Sequence, residues 1–381
     1  MSWREICLGD AFRVKHGYAF KSQYFADDGD YIVLTPGNFN EEGGFRVRPG
    51  KDRFYIGDIP EDFVLVEGDL IVAMTEQGPG LLGSSALVRE GGRYLHNQRL
   101  GLIQHLDEAL LDKHFLYYLF NTRPVRGQIS GSASGTKVRH TAPERIYRVK
   151  AAIPEDVQQQ KAIAMTLAAY DDLIENNRRR IMLLEQAARL LYKEWFVHLR
   201  FPGHEHVAIT DGVPEGWERK RIGDHSPFKY GQALKKDDRI PGPYPVYGSS
   251  GVIGMHEEAL VAGPAIIVGR KGNVGSVYWC ESDFYAIDTV YYIRAEDCST
   301  YLYYALLHTQ FINTDVAVPG LNRDFAHSRQ LLIPEARILG LFEEDVVVIH
   351  AHIAQLWKYN EALAQARDLL LPRLMSGEVA V

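Results

Sequence analysis

Two sets of residues in this chain invite a catalytic reading, and each is tested by what its chemistry requires. "GPGLLG", Gly78 to Gly83, matches the G-x-G-x-x-G pattern that cradles a pyrophosphate, which needs a helix opening behind the glycines. The following "SSALV" reads as a strand, so the match fails. "GSASGTK", Gly131 to Lys137, resembles a phosphate loop, but Thr precedes Lys and the spacing is wrong. His204 and His206, like His350 and His352, are two apart, which does not place both on one helical face, and they lack Cys or carboxylate partners at ligand spacing. Cys7, Cys280 and Cys298 are too scattered for a disulfide framework or a thiolate metal site and read as reduced, structural residues. No Asn-Pro-Pro-aromatic tetrapeptide, complete P-loop or G-x-S-x-G elbow occurs. No catalytic or metal-binding residue is assigned.

Basic and amide side chains carry a different chemistry. "RKRIGDHSPFKYGQALKK", Arg219 to Lys236, holds six Lys or Arg against one Asp, and "GSASGTKVRHTAPERIYRVK", Gly131 to Lys150, is Gly/Ser-rich and then basic. Such stretches suit phosphates, whereas base edges are read by forked donors and amides. Groups of the second kind sit in turn-like segments at Gln77, Asn97, Gln98 and Arg99, and again at Arg270, Asn273, Asn322 and Arg323. Each of these alone is also what an ordinary solvated loop contains. The net charge of −7 argues against a surface that binds nucleic acid everywhere, so local distribution decides.

The elements that must position these groups come in duplicate. "WREICLGDAFRVKHGYAFKS" from Trp3 aligns without a gap on "WERKRIGDHSPFKYGQALKK" from Trp217. "EGDLIVAMTEQGPGLLGSSALV" corresponds to "AGPAIIVGRKGNVGSVYW", "HFLYYLFNT" to "YLYYALLHT", and "AAIPEDVQQQ" to "LLIPEARILG". Each half reads as a mixed domain of strands and turns followed by a long helix. From Glu155 to Phe201 the chain has neither Gly nor Pro, and Ile163, Leu167, Tyr170, Ile174, Asn177, Ile181, Leu184, Ala188, Leu191 and Trp195 follow coiled-coil steps of four and three. Phe342, Val346, Ile349, Ile353, Leu356, Asn360, Leu363 and Leu370 repeat the stripe, so the two helices are expected to pack together. Asn177 and Asn360 interrupt the seams, either buried to fix register or solvated. "FPGHEHVAITDGVPEG" has the composition of a linker.

At 381 residues, 46% hydrophobic and 24% charged, the chain suits two or three globular domains. No apolar run approaches the roughly 18 to 20 residues that span a bilayer, and the charged start "MSWREICLGD" is unlike a signal peptide, so a cytoplasmic protein with no membrane partner is expected.

The whole chain resembles the specificity subunit of type I DNA restriction-modification systems. The likeness rests on "LAAYDDLIENNRRRIMLLEQAARLLYKEWF" in the centre, "VPEGWERKRIGD", "PVYGSSGVIG" and "IIVGRKGNVGSVYW" in the second half, and "LLLPRLMSGEV" at the C-terminus, in that family's order. "VAMTEQGPGLLGSS" departs from it, lacking the Gly-Arg-x-Gly start of its counterpart. The resemblance implies an α+β fold of two mixed α/β target-recognition domains, joined by two long helices forming an antiparallel coiled coil with an internal pseudo-two-fold repeat. The bounds are 1–150 and 217–332 for the domains, 151–201 and 333–381 for the helices with the C-terminal tail, and 202–216 for the linker.

It further implies that each domain reads one half of a split double-stranded DNA target and that the helices set the gap and dock two methylation subunits; restriction and translocation subunits are expected partners, whose presence the sequence leaves open. No cofactor is expected in this chain. S-adenosylmethionine, and ATP with Mg if a restriction subunit is present, would be bound by partner subunits. On this reading the DNA-binding candidates are Lys15, Lys21, Gln77, Asn97, Arg99, Lys137 and Arg139 in the first domain, with Lys229, Lys235, Lys236, Arg270, Lys271, Asn273, Asn322 and Arg323 in the second. Arg178, Arg179, Arg180 and Trp195 are candidates for contact with a partner subunit, against a solvated helix face for the arginines. Two rivals stand beside it: a protein-interaction scaffold built on a coiled coil, which bulk DNA would not compete, and a stand-alone nuclease or methyltransferase, which would modify DNA unaided.

Overall fold

The computed structural model describes residues 2–46, 52–76, 80–311 and 320–381. Two compact units emerge: Met1–Asn176 with Tyr359–Val381, and Asn177–Lys358. Each contains one mixed domain and a portion of both long helices.

In the first unit, Trp3–Cys7 pairs antiparallel with Lys150–Pro154, Trp3 opposite Pro154 and Cys7 opposite Lys150. A four-stranded sheet follows in the order Arg13–His16, Leu100–Gln104, Leu70–Ala73, Ser85–Leu87. The second unit repeats both features. Glu218–Arg221 pairs with Gln330–Ile333, and the four-stranded order is Lys229–Tyr230, Val290–Ile293, Ala265–Gly269, Val277–Cys280. Each unit also has a parallel strand pair, Tyr31–Val33 with Tyr94–Leu95 and Tyr244–Gly248 with Tyr285–Ala286. The repeat in the sequence is a repeat of topology.

The central strands show why these residues are strands. "LIVA", Leu70–Ala73, is buried throughout, as is "AIIVG", Ala265–Gly269, because the sheet is covered on both faces. Alternate side chains enter different cores. Leu70 and Val72 join Phe115, Ile163 and Leu167, while Ile71 and Ala73 join Leu34, Phe39 and Leu65. In the second unit Ile266 and Val268 pack with Tyr192 and Phe342, and Ala265 and Ile267 with Val261 and Phe284. Burying each such aliphatic side chain contributes about 1.5–3 kcal/mol. The aromatic runs that correspond in sequence form corresponding helices, Lys113–Phe120 and Thr300–His308, capped by Asp112 and Ser299, whose side chains accept from Phe115 N and Leu302 N.

The long helices are Val157–Tyr192 and Ala336–Met375. Residues 150–154 belong to the strand, and the first helix begins after Asp156, whose carboxylate accepts from Gln158 N at 2.9 Å. It closes in a wide π turn, Lys193–Val197, with Trp195 and Phe196 both packed on Phe342, so the regular helix stops short of the Gly/Pro-free limit at Phe201. Every seam position read from the sequence is buried or half-buried, including Asn177 and Asn360, whereas Met165, Met182 and Val348 between them are exposed. In the second unit Arg180 meets His352 and Tyr192 meets Phe342, so the helices run antiparallel there. In the first unit, Ile163 and Leu167 share a core with Leu370 and Leu374.

Candidate nucleic-acid interface

In the second domain a cluster forms where the central strand ends. Arg270 follows Gly269; its backbone N–H donates to Thr289 O at 2.9 Å, and its carbonyl accepts from Leu321 N at 2.8 Å. Arg323 opens the helix Arg323–Ser328, whose cap is the Asn322 side chain, accepting from Asp324 N at 2.8 Å and Phe325 N at 3.1 Å. Both guanidinium carbons lie 5.0 Å from the centre of the Tyr230 ring, and that of Arg270 is also 5.7 Å from the Tyr291 ring. Tyr291 is itself fixed, its hydroxyl donating to Leu321 O at 2.8 Å.

The loop after Arg270 is held from below. Ser249 of "YGSSG" accepts at its carbonyl from the Ser276 hydroxyl at 2.7 Å and the Tyr278 hydroxyl at 3.1 Å, and its own hydroxyl accepts from Asn273 N at 3.3 Å. A Cβ at Gly269 would stand 2.2 Å from Asn273 O and 2.3 Å from Ser276 Oγ, so only glycine lets the loop fold back this tightly. Lys271 reaches the Asp288 carboxylate at 3.8 Å, a half-exposed pair of little energetic weight. Asn273, Lys235 and Lys236 are exposed, and Lys229 is half-buried on the strand that carries Tyr230. Burial, then the Arg323 charge, lowers the pKa of His327, and its neutral Nε2 accepts from Phe228 N at 2.9 Å.

The first domain places different chemistry on the same frame. Met74 stands where Arg270 stands: its N–H donates to Arg99 O at 3.0 Å and its carbonyl accepts from Thr141 N at 3.0 Å, in the pattern of Thr289 and Leu321. By the same register His16 corresponds to Tyr230, and Pro143, first in its helix, to Arg323. The departure in "VAMTEQ" is thus a real substitution of a buried Met for an arginine.

The remaining first-domain candidates divide by environment. Arg99, Lys137 and Lys21 are exposed. Asn97 is buried and its side chain accepts from Arg99 N at 3.0 Å, which shapes the turn that displays Arg99. Lys15 donates to Asp62 O at 2.6 Å and lies 4.6 Å from the Phe63 ring centre. Arg139 pairs with Glu76 at 3.1 Å and donates to Ser130 O, so its guanidinium is already engaged. Gln77 lies outside the described residues.

Arg178, Arg179 and Arg180 are exposed on the central helix, with Arg180 3.2 Å from His352. Trp195 is half-buried against Phe196 and Phe342, which makes it a packing residue of its own unit.

Three residues escaped the sequence reading. Tyr230 is one, although an aromatic between Lys229 and the lysines at 235 and 236 was a usable signal. Glu76 is 2% exposed and accepts from Leu81 N and Leu82 N at 3.0 and 2.9 Å as well as from Arg139. Arg126 donates to the carbonyls of Leu82 and Glu41, both at 2.8 Å, and of Gly80. Neither the buried Glu76 nor the half-buried Arg126 has a local sequence signature. Among the described residues no three His, Cys, Asp or Glu side chains gather to hold a metal ion.

Comparison with known proteins adds an independent line. The family described as the type I restriction modification DNA specificity domain matches residues 1–186 and 214–323. The chain is 25% identical over 299 residues to the type I restriction enzyme MjaIX specificity subunit of Methanocaldococcus jannaschii, covering 70% of this chain and 69% of that one. It is 23% identical over 339 residues to the HindI specificity subunit of Haemophilus influenzae, covering 66% and 73%. In fold it resembles the type I restriction-modification S subunit from M. genitalium, with a TM-score of 0.58 at 18% identity over 98% of this chain and 96% of that one.

Proposed function

Because this chain belongs to the family of type I restriction-modification DNA specificity proteins, we propose that each of its two domains reads one half of a split DNA target while the long helices set the gap between the halves. The chain is the DNA sequence-recognition component of a restriction-modification complex and not its enzyme. Methyl transfer, with S-adenosylmethionine, and cleavage, with ATP and Mg where a restriction subunit is present, belong to partner subunits. Two methylation subunits bind, one to each repeat, since a duplicated chain offers two equivalent surfaces as a two-fold dimer would. The complex works in the cytoplasm, where the DNA is. Among the described residues no helix is long and apolar enough to cross a membrane.

The observation that carries this reading is the repeated four-stranded order, with Arg270 and Arg323 clustered where the central strand of the second domain ends and Arg99 exposed on the equivalent frame of the first. Phosphate contacts from Lys21, Lys137, Lys229, Lys235 and Lys236 hold register, and Arg99, Arg270, Asn273 and Arg323 reach base edges. The test is binding of duplex DNA by the chain assembled with its methylation subunit, followed across salt concentration. The logarithm of the binding constant falls linearly with the logarithm of salt. Binding indifferent to salt and to competing bulk DNA would favour the protein-scaffold alternative.

A further inference from the structure

We propose that Tyr230 is the positioning residue of the second domain: its one exposed ring holds Arg270 and Arg323 as a pair, and that pair reads guanine in one half of the target. The inference rests on the DNA-recognition reading above and gives it a base and a mechanism. A guanidinium reads guanine by offering two parallel N–H groups to O6 and N7, so the plane of the fork must be set before the DNA arrives. An aromatic face, negative at its centre, attracts a cation and holds it within about 6 Å of the centroid. Both guanidinium carbons lie 5.0 Å from the centre of the same ring, which is 46% exposed.

The stems of both arginines are fixed independently of the ring. Arg270 is held by backbone hydrogen bonds to Thr289 and Leu321, and Arg323 sits in the first turn of a helix capped by Asn322. The nearby Asp288 carboxylate faces Lys271, leaving Arg270 the Asp288 backbone carbonyl at 3.2 Å. Among the described residues neither arginine forms a salt bridge, and the buried Nε of Arg323 has no hydrogen-bond partner. With no acid among the described residues paired to them, the two neighbouring cations have donors left for an external acceptor. In the first domain His16, Met74 and Pro143 occupy the equivalent positions, so the device belongs to one half of the target only.

The test uses the full chain co-expressed with its methylation subunit in a host without other DNA methylation, the modified motif being read base by base. For Tyr230→Leu the expected result is a loss of about tenfold or more in discrimination at guanine positions of one half-target, with the other half unchanged. Tyr230→Phe, which keeps the ring, retains the wild-type motif. Arg270→Lys and Arg323→Lys each relax a guanine that Tyr230→Leu also relaxes. If Tyr230→Leu does not accumulate, Tyr230→Met, flexible and likewise without a ring, is read in its place with the same expectation. The proposal is overturned if either ring-removing variant keeps full discrimination, if the bases it relaxes differ from those relaxed by the arginine variants, or if Tyr230→Phe behaves like Tyr230→Leu. A wild-type motif that is not split would remove the DNA-recognition reading itself, a separate result from a split motif that ignores Tyr230.

Discussion

Asp171 and Arg367 join the two long helices through an ion pair at 2.6 Å, their side chains 15% and 20% exposed. The other carboxylate oxygen accepts from the Tyr118 hydroxyl at 2.7 Å, so one aspartate ties three helices together. Burial and then the Asp171 charge push the Tyr118 phenol well above its usual pKa, which keeps it a donor. Asp171→Asn leaves Arg367 with only the half-exposed Asp368 carboxylate, 2.8 Å away, as a charge partner. A loss of about 1–3 kcal/mol is predicted, below the roughly 3–5 kcal/mol of a fully stranded buried charge, because Asp368 and some solvent still reach the guanidinium. Urea unfolding of the variant measures it, and restoration by a second change, Arg367→Met, would show that the cation that has lost Asp171 is the cause.

Glu76 and Arg139 make the corresponding test in the first domain. Glu76→Ala strands the Leu81 and Leu82 amides together with the Arg139 guanidinium and is predicted to destabilise the protein by about 3–5 kcal/mol. Arg139→Lys separates two roles. A base reader would change the motif and leave stability alone, whereas the geometry predicts a lower melting temperature.

Lys235 and Lys236 are exposed in the second domain, a few residues after Tyr230 in the chain. Replacing both with Ala is predicted to weaken binding to all sequences alike and to reduce the salt slope by about one unit for each phosphate that is no longer neutralised. Arg270→Ala is predicted to cost roughly 1 to 3 kcal/mol on one sequence and relax a single base position. Titrations against cognate and mismatched duplexes at several salt concentrations distinguish the two behaviours.

His96 predicts a pH dependence. Burial, the largest influence, lowers its pKa to about 4, although its Nε2 hydrogen-bonds to Leu100 O at 3.0 Å. Its folded-state pKa lies below the unfolded value of 6.5, so the neutral ring's contribution is complete above pH 6.5 and is lost as pH falls toward 4. The loss is on the order of 3 kcal/mol. Chemical denaturation of wild type and His96→Gln at pH 7 and pH 4.5 checks it: the stability advantage of the wild type shrinks at the lower pH, and a constant difference would refute the assignment.

Much of the architecture was readable because it is written in period and repetition. The aligned stretches from Trp3 and Trp217 become equivalent strands, and the steps of four and three become buried seams, including Asn177 and Asn360. The helix bounds were less legible. Residues 150–154 are apolar enough for either element, and pairing with Trp3–Cys7, far away in sequence, decides for strand. The candidate site was legible by residue type and not by role. Arg139 and Arg270 look alike in sequence, but Glu76, more than sixty residues from Arg139, turns one into a structural tie, while the guanidinium of the other lies over the Tyr230 ring. Long-range partners of this kind leave no local trace.

The central claim is that the helix pair fixes the distance between two readers, and helix length tests it most directly. Seven residues added to each long helix, between Asn176 and Asn177 and between Lys358 and Tyr359, extend the pair by about 10 Å. With base pairs spaced at about 3.4 Å, the predicted outcome is a methylated motif whose two halves are unchanged and whose gap is wider by about two to three base pairs. A gap that stays the same, or a wild-type motif that is one uninterrupted sequence, would contradict the account.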